Sequence, residues 1–380
     1  MEKIYRCWAE VDLEALRQNL LWIKHTVGKG VKIATVVKAD AYGHGLKQIA
    51  ALLMQSGTDV FGVANLNEAE AVRSIGKGWQ ILMLGACLPK EVHWAVSDDV
   101  MPTISSKPEA DLFSAEAKRQ GKIVKIQIKI DTGMGRLGVW YENALDLINY
   151  CRNLAQIKVA GIFTHFSSAE DDKKFTQLQK NRFLKVLGEL KKAKIKIPLA
   201  HSNNSAGIIH EKDTYFNMVR PGLLVYGIVP KGKRRTKNDI KNHLIPALSF
   251  KCHVSYIKEI PAGTPISYGH IFTSKKRMKV AILTAGYGDG YLRAGSNKAQ
   301  VIIKGKRCNV VGRITMDQMI ADVSAVPDLS PGDEVVLIGT QGNEKIDVCE
   351  IAEWFGTIPY EVFTSITYRV PRIYRGAYAA

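Results

Sequence analysis

Residues 31–45, VKIATVVKADAYGHG, begin as an apolar run and end in a polar, glycine-containing turn. The run IATVV is typical of a strand that is buried on both faces of a parallel sheet. Helical patterns flank it. After it comes LKQIAALLMQSG, and before it is a helix that Asp12 can cap, with apolar positions at Leu13, Leu16, Leu20, Ile23 and Val27. The stretch therefore predicts a β–α unit of a parallel α/β fold.

The same alternation continues to about residue 230. Seven further segments are predicted as strands, each separated by a helical pattern or a short linker: DVFGVA, WQILMLG, VMPTIS, KIVKIQIKID, VAGIFTH, IPLAHS and FNMVR. Eight strands are the number of a (β/α)8 TIM barrel. We expect residues 1–240 to form this domain. About the first ten of them could instead pack with the C-terminal domain.

A second, mostly β domain is expected over residues 241–380. Apolar residues alternate with polar ones from Leu248 to Tyr256, the pattern of a half-buried strand. One helix is predicted at about residues 347–355. The further predicted strands are MKVAILTAG, AQVIIKG, RCNVVGRI, DEVVLIG and SITYRV.

The composition predicts a soluble cytoplasmic protein. Hydrophobic residues make up 46% of the chain and charged residues 23%, as in ordinary globular proteins. No apolar run approaches the roughly 18 residues of a membrane span, and the first residues lack the apolar stretch of a signal peptide. The six cysteines are widely spaced, which predicts reduced thiols and no metal site.

The formal net charge of +17 raises the question of nucleic-acid binding. Only residues 231–237, KGKRRTK, form a basic run, and no aromatic residue interrupts it to stack on bases. A solvated loop is the favoured interpretation, so no nucleic-acid partner is expected. The charge also favours encounter with anionic small molecules.

Polar residues collect at the predicted carboxyl ends of the barrel strands, where active sites of this fold lie. Each of these residues could by itself be an ordinary solvated loop residue. That interpretation does not explain why they all occur at the carboxyl ends of the predicted strands. The residues are Lys38, Lys129 and Asp131, Thr164 and His165, residues 201–204, and Arg220.

Lys38 is the candidate lysine for a pyridoxal phosphate (PLP) cofactor. A lysine that forms a Schiff base must be close to neutral, and an apolar strand before it favours that state. A lone lysine at a strand end is usually a surface residue. Gly43 and Gly45 allow close backbone approach, and Tyr42 offers a hydroxyl to an anion. The loops after the last two strands supply Asn204, Ser205, Gly222 and Leu223, where TIM barrels often bind phosphate.

Eight motifs, in order, carry a resemblance that covers nearly the whole chain: VVKADAYGHG, KIDTGMGRLG, THF, NNSAG, RPG, SYG, GRITMDQ and IPYE. Together they resemble the alanine racemase family. The resemblance implies a barrel plus a β domain, PLP as cofactor, and interconversion of L- and D-alanine, which supplies D-alanine for peptidoglycan. It further implies a homodimer in which residues 241–380 complete the partner's active site.

The resemblance also assigns catalytic roles. Lys38 is the Schiff-base lysine and one of two bases that act on the PLP external aldimine, and Tyr268 is the other. Lys38 would deprotonate D-alanine and Tyr268 L-alanine. His165 assists Tyr268 and is linked to Arg220, which faces the pyridine nitrogen and keeps it unprotonated.

The remaining assignments concern binding. Arg136, Met316 and Asp317 are the expected substrate-binding residues, and Lys129 is a candidate for carbamylation that orients Arg136. One departure is Thr315, where many members have cysteine. The expected phosphate ligands are Tyr42, Ser205, Gly222, Leu223 and Tyr360, with Asn204 nearby.

Other functions remain as alternatives. A racemase of broader or serine preference is the nearest, although the ring of Tyr360 favours a small pocket. A PLP-dependent decarboxylase is less favoured, because this sequence lacks the glycine-rich phosphate loop and the cysteine motif of such enzymes. A non-catalytic PLP-binding protein or a basic RNA-binding protein would give Tyr268, Met316 and Asp317 no role.

Overall fold

The computed structural model describes residues 5–236 and 238–376. The chain divides into two compact units. The barrel unit comprises residues 15–41 and 46–245. The β unit comprises the residues up to Glu14, residues 42–45 and those from Pro246 onward. Elements are numbered along the chain, and the first strand, β1 (Cys7–Asp12), lies in the β unit.

The barrel unit contains all eight of the predicted barrel strands. Its strands are β2 (Lys32–Val36), β3 (Val60–Val63), β4 (Gln80–Met83), β5 (Val100–Met101), β6 (Thr103–Ile104), β7 (Val124–Asp131), β8 (Val139–Trp140), β9 (Ile157–Phe163), β10 (Leu199–His201) and β11 (Met218–Val219).

Two parallel arrays make up the barrel, with the orders β11-β2-β3-β4-β5 and β10-β9-β7-β6. Only Pro102 separates β5 from β6, so these two short strands are one barrel position that belongs to both arrays. On the other side, Arg220 after β11 donates its backbone N–H to the carbonyl of Asn203 after β10, at 2.9 Å. The short β8 pairs with β7 in addition. The predicted eight-stranded α/β barrel is confirmed.

Helices alternate with these strands as the apolar spacing predicts. They are α1 (Leu13–Val27), whose first two residues belong to the β unit, α2 (Lys38–Gly43), α3 (Leu46–Ser56), α4 (Leu66–Ile75), α5 (Val92–Ser97), α6 (Lys107–Arg119), α7 (Ala144–Asn153), α8 (Lys173–Lys192), α9 (Ser205–His210) and α10 (Asn238–His243). Side chains of Asn65, Ser106 and Asp172 cap α4, α6 and α8. One core cluster takes a residue from each of six strands: Ala34, Val60, Leu82, Met101, Leu199 and Met218.

The β unit is built on a sheet with the order β15-β14-β17-β12-β1-β19. In it, β1 pairs antiparallel with β12 and parallel with β19. Its elements after the first strand are β12 (Leu248–Ile260), β13 (Met278–Leu283), β14 (Gln300–Ile303), β15 (Lys306–Asn309), β16 (Met319–Asp322), β17 (Glu334–Gln341), β18 (Glu344–Ile346), α11 (Val348–Phe355), α12 (Pro359–Ser365) and β19 (Arg372–Arg375). The predicted β-rich domain is confirmed.

One predicted strand is wrong. The segment SITYRV, residues 365–370, begins at the last residue of α12 and continues as a turn, in which Val370 donates to the carbonyl of Thr367. The strand lies further along, at β19, because these residues pair with β1. Local alternation cannot reveal a pairing with residues more than 350 positions away.

Three further sequence expectations concern general features. The cysteines form no disulfide in the described part of the chain. No helix among the described residues is long and apolar enough to cross a membrane. In the basic run, Lys237 lies outside the described residues, while Arg234 is half-buried and pairs with Glu211 at 2.7 Å. The run is therefore anchored to the barrel unit at its centre.

Candidate active site

Lys38 begins α2, directly after the first barrel strand and Val37. The next five residues have positive φ angles, between 51° and 77°, and only the last of them, Gly43, is glycine. A left-handed conformation costs an L-residue roughly 1–2 kcal/mol. Such strain persists only where surrounding contacts enforce it, and it concentrates at functional sites. The turn that carries Lys38 is therefore held by its neighbours.

Glu68 on α4 supplies part of that support. Its Oε1 accepts the backbone N–H of Ala39 at 2.8 Å, and its Oε2 accepts that of Ala64 at 2.7 Å. The turn is fixed further by Asp40, whose Oδ1 accepts the N–H of Leu46 at 2.7 Å. Burial and the charge of Arg136 lower the pKa of Lys38, while Glu68 opposes them. Lys38 thus combines a rigid backbone with an amine that loses its proton more readily than usual.

Lys129, on β7, is only 2% exposed. Burial lowers its pKa to about 8, helped by the charges of Arg136, Arg220 and Lys38. Asp131 acts in the opposite sense, but its carboxylate is engaged by the backbone N–H groups of residues 133–135. A cluster of cationic groups has therefore formed at the carboxyl ends of the barrel strands.

Glu68 and Asp131 influence this cluster electrostatically, but neither neutralises it through an ion pair. Within the described part of the chain, no ion pair involves Lys38, Lys129, Arg136 or Arg220. Like charges that are partly removed from water repel one another strongly. The arrangement is suited to an anionic ligand, such as a phosphate or a carboxylate.

Arg220 is 3% exposed and is held from several sides. Its Nη2 donates to the carbonyls of Thr164 at 2.7 Å and Ser202 at 2.9 Å, and it lies 3.3 Å from Nδ1 of His165. Burial lowers the pKa of Arg220 to about 9, which leaves it protonated at neutral pH. Among the described residues its Nε–H has no acceptor, so this donor remains for a ligand.

His165 is fixed by the groups around it. Gln179 donates from Nε2 to its backbone carbonyl at 3.0 Å. Burial and the neighbouring Arg220 hold the pKa of His165 well below its ordinary value. Since arginine has no acceptor, Nδ1 of the neutral ring accepts from Arg220, and the ring proton is on Nε2. The structure thus brings the predicted residues Lys38, Lys129, His165 and Arg220 together.

Two further residues extend this network: His201, one of the polar residues expected at the strand ends, and Gln127, which the sequence did not indicate. The guanidinium of Arg220 also donates to Nδ1 of His201, and Nε2 of His201 lies 2.5 Å from Oε1 of Gln127. His201 and Gln127 are completely buried, and the ring of His201 stacks on Phe163. Because arginine can only donate, Nδ1 of His201 accepts from Arg220, and the ring proton on Nε2 donates to Gln127. The chain orients Arg220 from inside the barrel.

The predicted phosphate loops lie side by side in the barrel unit. Oγ of Ser205 accepts the N–H groups of Gly222 at 2.9 Å and Leu224 at 3.3 Å, so its own proton is available to another acceptor. The Leu223 N–H has no acceptor among the described residues. Asn204 caps α9 by accepting from Gly207 at 2.9 Å, and it is therefore a structural neighbour of the loop.

The other two predicted phosphate ligands lie in the β unit. The rings of Tyr42 and Tyr360 are tilted against each other with centroids 5.7 Å apart. Next to Tyr42, a Cβ on Gly43 would collide with the backbone carbonyl of Phe363. The sequence expectation that Gly43 allows a close backbone approach is met by this contact.

Tyr268 projects from the β unit with 73% of its surface exposed. Its backbone is fixed: Ser267, at φ 61°, donates from Oγ to the carbonyl of Arg313, and Arg313 donates from Nε to the carbonyl of Tyr268. Its hydroxyl has no partner in the described part of this chain. The Tyr268 hydroxyl is therefore held in a fixed position from which it can contact another molecule.

Met316 and Asp317 occupy the loop between Arg313 and β16, and both are exposed. Arg136, in the loop after β7 of the barrel unit, is exposed too. The structure therefore places the predicted substrate-binding residues on two different units.

Comparison with known proteins identifies the family. A model of the alanine racemase N-terminal domain matches residues 11–230, and a model of its C-terminal domain matches residues 247–374. An alanine racemase of Halothermothrix orenii is 42% identical over 369 residues, which cover 97% of this chain and 96% of that one.

Solved structures agree. An alanine racemase of Clostridium difficile 630 superposes with a TM-score of 0.92 at 36% identity, covering 98% of this chain and 97% of that one. The alanine racemase of Bartonella henselae, solved with covalently bound pyridoxal phosphate, gives 0.87 at 28% identity, covering 98% and 100%. The resemblance indicated by the motifs is confirmed: this chain belongs to the alanine racemase family.

Proposed function

We propose that this chain interconverts L- and D-alanine with pyridoxal phosphate as its cofactor. The observation that carries the proposal is the cationic cluster of Lys38, Lys129, Arg136 and Arg220, which has no ion-paired partner among the described residues. A phosphorylated cofactor and an amino-acid carboxylate supply the missing anions. The full-length relatives named above support the same activity.

The residues fit the cofactor. Lys38 has a lowered pKa and a rigid turn, as an amine that must attack an aldehyde requires. The hydroxyl of Ser205 and the backbone N–H of Leu223 would donate hydrogen bonds to the phosphate, beside Gly222. Asn204 would support this loop. Tyr42 and Tyr360 are assigned as further phosphate ligands. Arg220 would face the ring nitrogen with its Nε–H and, since it keeps its own proton, leave that nitrogen unprotonated.

Pyridoxal phosphate, once joined to the amino group of a substrate, withdraws electrons from the α-carbon and makes its proton acidic. The chain moves that proton. We assign Nζ of Lys38 to one face of the α-carbon, for D-alanine, and the hydroxyl of Tyr268 to the other, for L-alanine. One base removes a proton and the other returns one from the far side, which inverts the centre. His165, held neutral by Arg220, can donate its Nε2–H to the Tyr268 oxygen and so stabilise the deprotonated form in which Tyr268 acts as a base.

The substrate carboxylate is assigned to Arg136 and the backbone of Met316, with Asp317 lining the same pocket. We further propose that Lys129 is carbamylated. A buried amine with a pKa of about 8 has a large neutral fraction at mildly alkaline pH, and the neutral form reacts with carbon dioxide. The resulting anion would offset the charge of Arg136 and orient it.

We also propose a homodimer in which residues 241–380 complete the partner's site. The exposure of Tyr268 supports this, because its hydroxyl has no described partner within its own chain. The supply of D-alanine for peptidoglycan is the expected physiological role.

Incubation of the purified, cofactor-loaded chain with L-alanine tests the function. Formation of D-alanine is expected, and Lys38→Ala should abolish it. Comparing kcat/KM for alanine, serine and lysine tests specificity, since the ring of Tyr360 favours a methyl-sized side chain. Equal values would favour a broad-specificity racemase, and release of carbon dioxide would favour a decarboxylase.

A further inference from the structure

The loop that carries Met316 is held by a second loop of the β unit, residues 286–290, GYGDG. The N–H of Tyr287 donates to the carbonyl of Thr315 at 3.0 Å, and that of Gly288 donates to the carbonyl of Met316 at 2.8 Å. A Cβ on Gly288 would lie 2.9 Å from the same Met316 oxygen, so the two backbones are in direct contact. The carbonyl of Met316 is thus fixed, while its own N–H has no acceptor among the described residues.

Arg369 connects the two loops through their side chains. Its Nη2 donates to Oδ1 of Asp317 at 2.7 Å, and its Nε lies 3.4 Å from Oδ1 of Asp289. Asp289 is nearly buried, at 7% side-chain exposure, and its Oδ2 accepts the N–H of Gly286 at 3.0 Å. Arg369 therefore binds one anchored carboxylate and one exposed carboxylate at the same time.

The charge of Arg369 matters as well as its geometry. Asp317 is 59% exposed and directly follows the Met316 amide. An unpaired carboxylate at this position would repel an incoming anion. Pairing with Arg369 neutralises it, and the planar fork of arginine reaches two carboxylates in a way that the single ammonium of lysine cannot.

We propose that Arg369 is a positioning residue for substrate: it neutralises Asp317 and ties it to Asp289, so that the Met316 N–H is presented to the alanine carboxylate. The inference rests on the proposed function, in which Met316 binds that carboxylate. We call the pairing of Arg369 with Asp317 and Asp289 the clamp. Because the clamp would help to bind the carboxylate equally in the ground state and in the transition state, its loss should raise KM and leave kcat largely unchanged.

Arg307 provides a matched control. It also lies in the β unit and pairs with two carboxylates, those of Glu344 and Glu350, and none of its hydrogen bonds or ion pairs in the described part of the chain involves residues 315–317. The comparison is between Arg369→Gln, Arg369→Lys and Arg307→Gln, each as the cofactor-loaded enzyme. The measurements are kcat and KM for both alanine enantiomers, inhibition by propionate as a carboxylate that lacks the amine, cofactor content and melting temperature.

For Arg369→Gln we expect KM and the inhibition constant of propionate to rise about tenfold, with kcat within about threefold of the original. Arg369→Lys, which keeps the charge but not the fork, should show a smaller rise, and Arg307→Gln none. Cofactor content should be unchanged throughout.

Equal KM and propionate inhibition in the Arg369 and Arg307 variants would overturn the proposal, as would a loss confined to kcat. If Arg369→Gln does not fold, Arg369→Lys decides by the same criteria. If the original chain does not racemise alanine, the proposed function fails instead, and propionate binding to the loaded protein, measured by calorimetry, still tests the clamp.

Discussion

Glu68 accepts the backbone N–H of Ala39 at 2.8 Å, the residue that directly follows Lys38. A helix on one side of the barrel thereby fixes the left-handed turn from which the candidate cofactor lysine projects. The same carboxylate raises the pKa of Lys38 against the effects of burial and Arg136. One side chain therefore influences both the position and the charge of the lysine.

Replacing Glu68 should separate these two effects. Glu68→Ala leaves the Ala39 and Ala64 N–H groups without their acceptor, and we expect a loss of about 1–2 kcal/mol in the free energy of unfolding. Glu68→Gln keeps one of the two acceptor oxygens and removes the charge, so it should lose less stability, while the pKa of Lys38 should fall and cofactor attachment should extend to lower pH. Glu70→Ala, on the same helix, is the control. Equal stability of the two alanine variants would contradict the account.

His201 should orient Arg220 through its ring nitrogen. His201→Leu removes the acceptor and leaves a buried guanidinium N–H unpaired, which should cost about 1–3 kcal/mol of stability and lower kcat at least tenfold. Asparagine places an oxygen close to the position of Nδ1, so His201→Asn should retain more of both. Urea denaturation and steady-state kinetics measure the two quantities. Unchanged kinetics in the leucine variant would show that Arg220 needs no such support.

The pKa of Lys129 predicts how modification depends on pH. With a pKa of about 8, its neutral fraction increases as the pH rises from 7 to 9, and so should carbamylation. Carbon-13 NMR in labelled bicarbonate would detect a carbamate signal that Lys129→Ala lacks. An identical spectrum for both proteins across this range would exclude the modification.

The lowered pKa of Lys129 also makes the free energy of unfolding depend on pH. The folded state binds the Lys129 proton more weakly than the unfolded state, whose lysine has its ordinary value near 10.5. Between about pH 8 and 10.5 the unfolded chain therefore holds more protons, and this residue makes stability rise with pH, by up to about 3 kcal/mol without carbamylation. Lys129→Met should flatten the pH dependence of the unfolding free energy in this window.

Mixing two inactive variants tests the proposal that each active site is shared between two subunits. Lys38→Ala and Tyr268→Phe should each be inactive as homodimers, because every site lacks one base. In a mixed dimer, one site contains both an intact Lys38 and an intact Tyr268. Refolding the variants together should therefore restore roughly a quarter of the original activity. No recovery, with mixed dimers demonstrated by a tag on one variant, would mean that both bases act within one chain.

Much of the barrel could be predicted from the sequence because each strand is a short apolar run between helical patterns. Lys38, Lys129 and Arg220 follow such runs, so their convergence could be expected from strand direction alone. The left-handed turn after Lys38 could not, since Ala39 and Ala41 carry no local signal for positive φ. Its conformation depends on acceptors that lie elsewhere in the chain.

Glu68, Gln127 and Gln179 were missed for a related reason. Each contacts the site only after the barrel has closed, and each has an ordinary role by sequence, as a helix or strand residue. The position of β19 was misplaced because it depends on pairing with β1. Side chains that support a site, unlike those at strand ends, are set by tertiary packing.

We propose that Lys38, and no other lysine of the cationic cluster, carries the cofactor. Lys129 is the natural competitor, because it has a lowered pKa in the same cluster. Reducing the lysine–cofactor linkage with borohydride, digesting the protein and mapping the pyridoxyl group by mass spectrometry distinguishes them. We predict the label on the peptide that contains Lys38 and its loss in Lys38→Ala. A label on Lys129, or on any lysine outside VVKADAYGHG, would contradict the account.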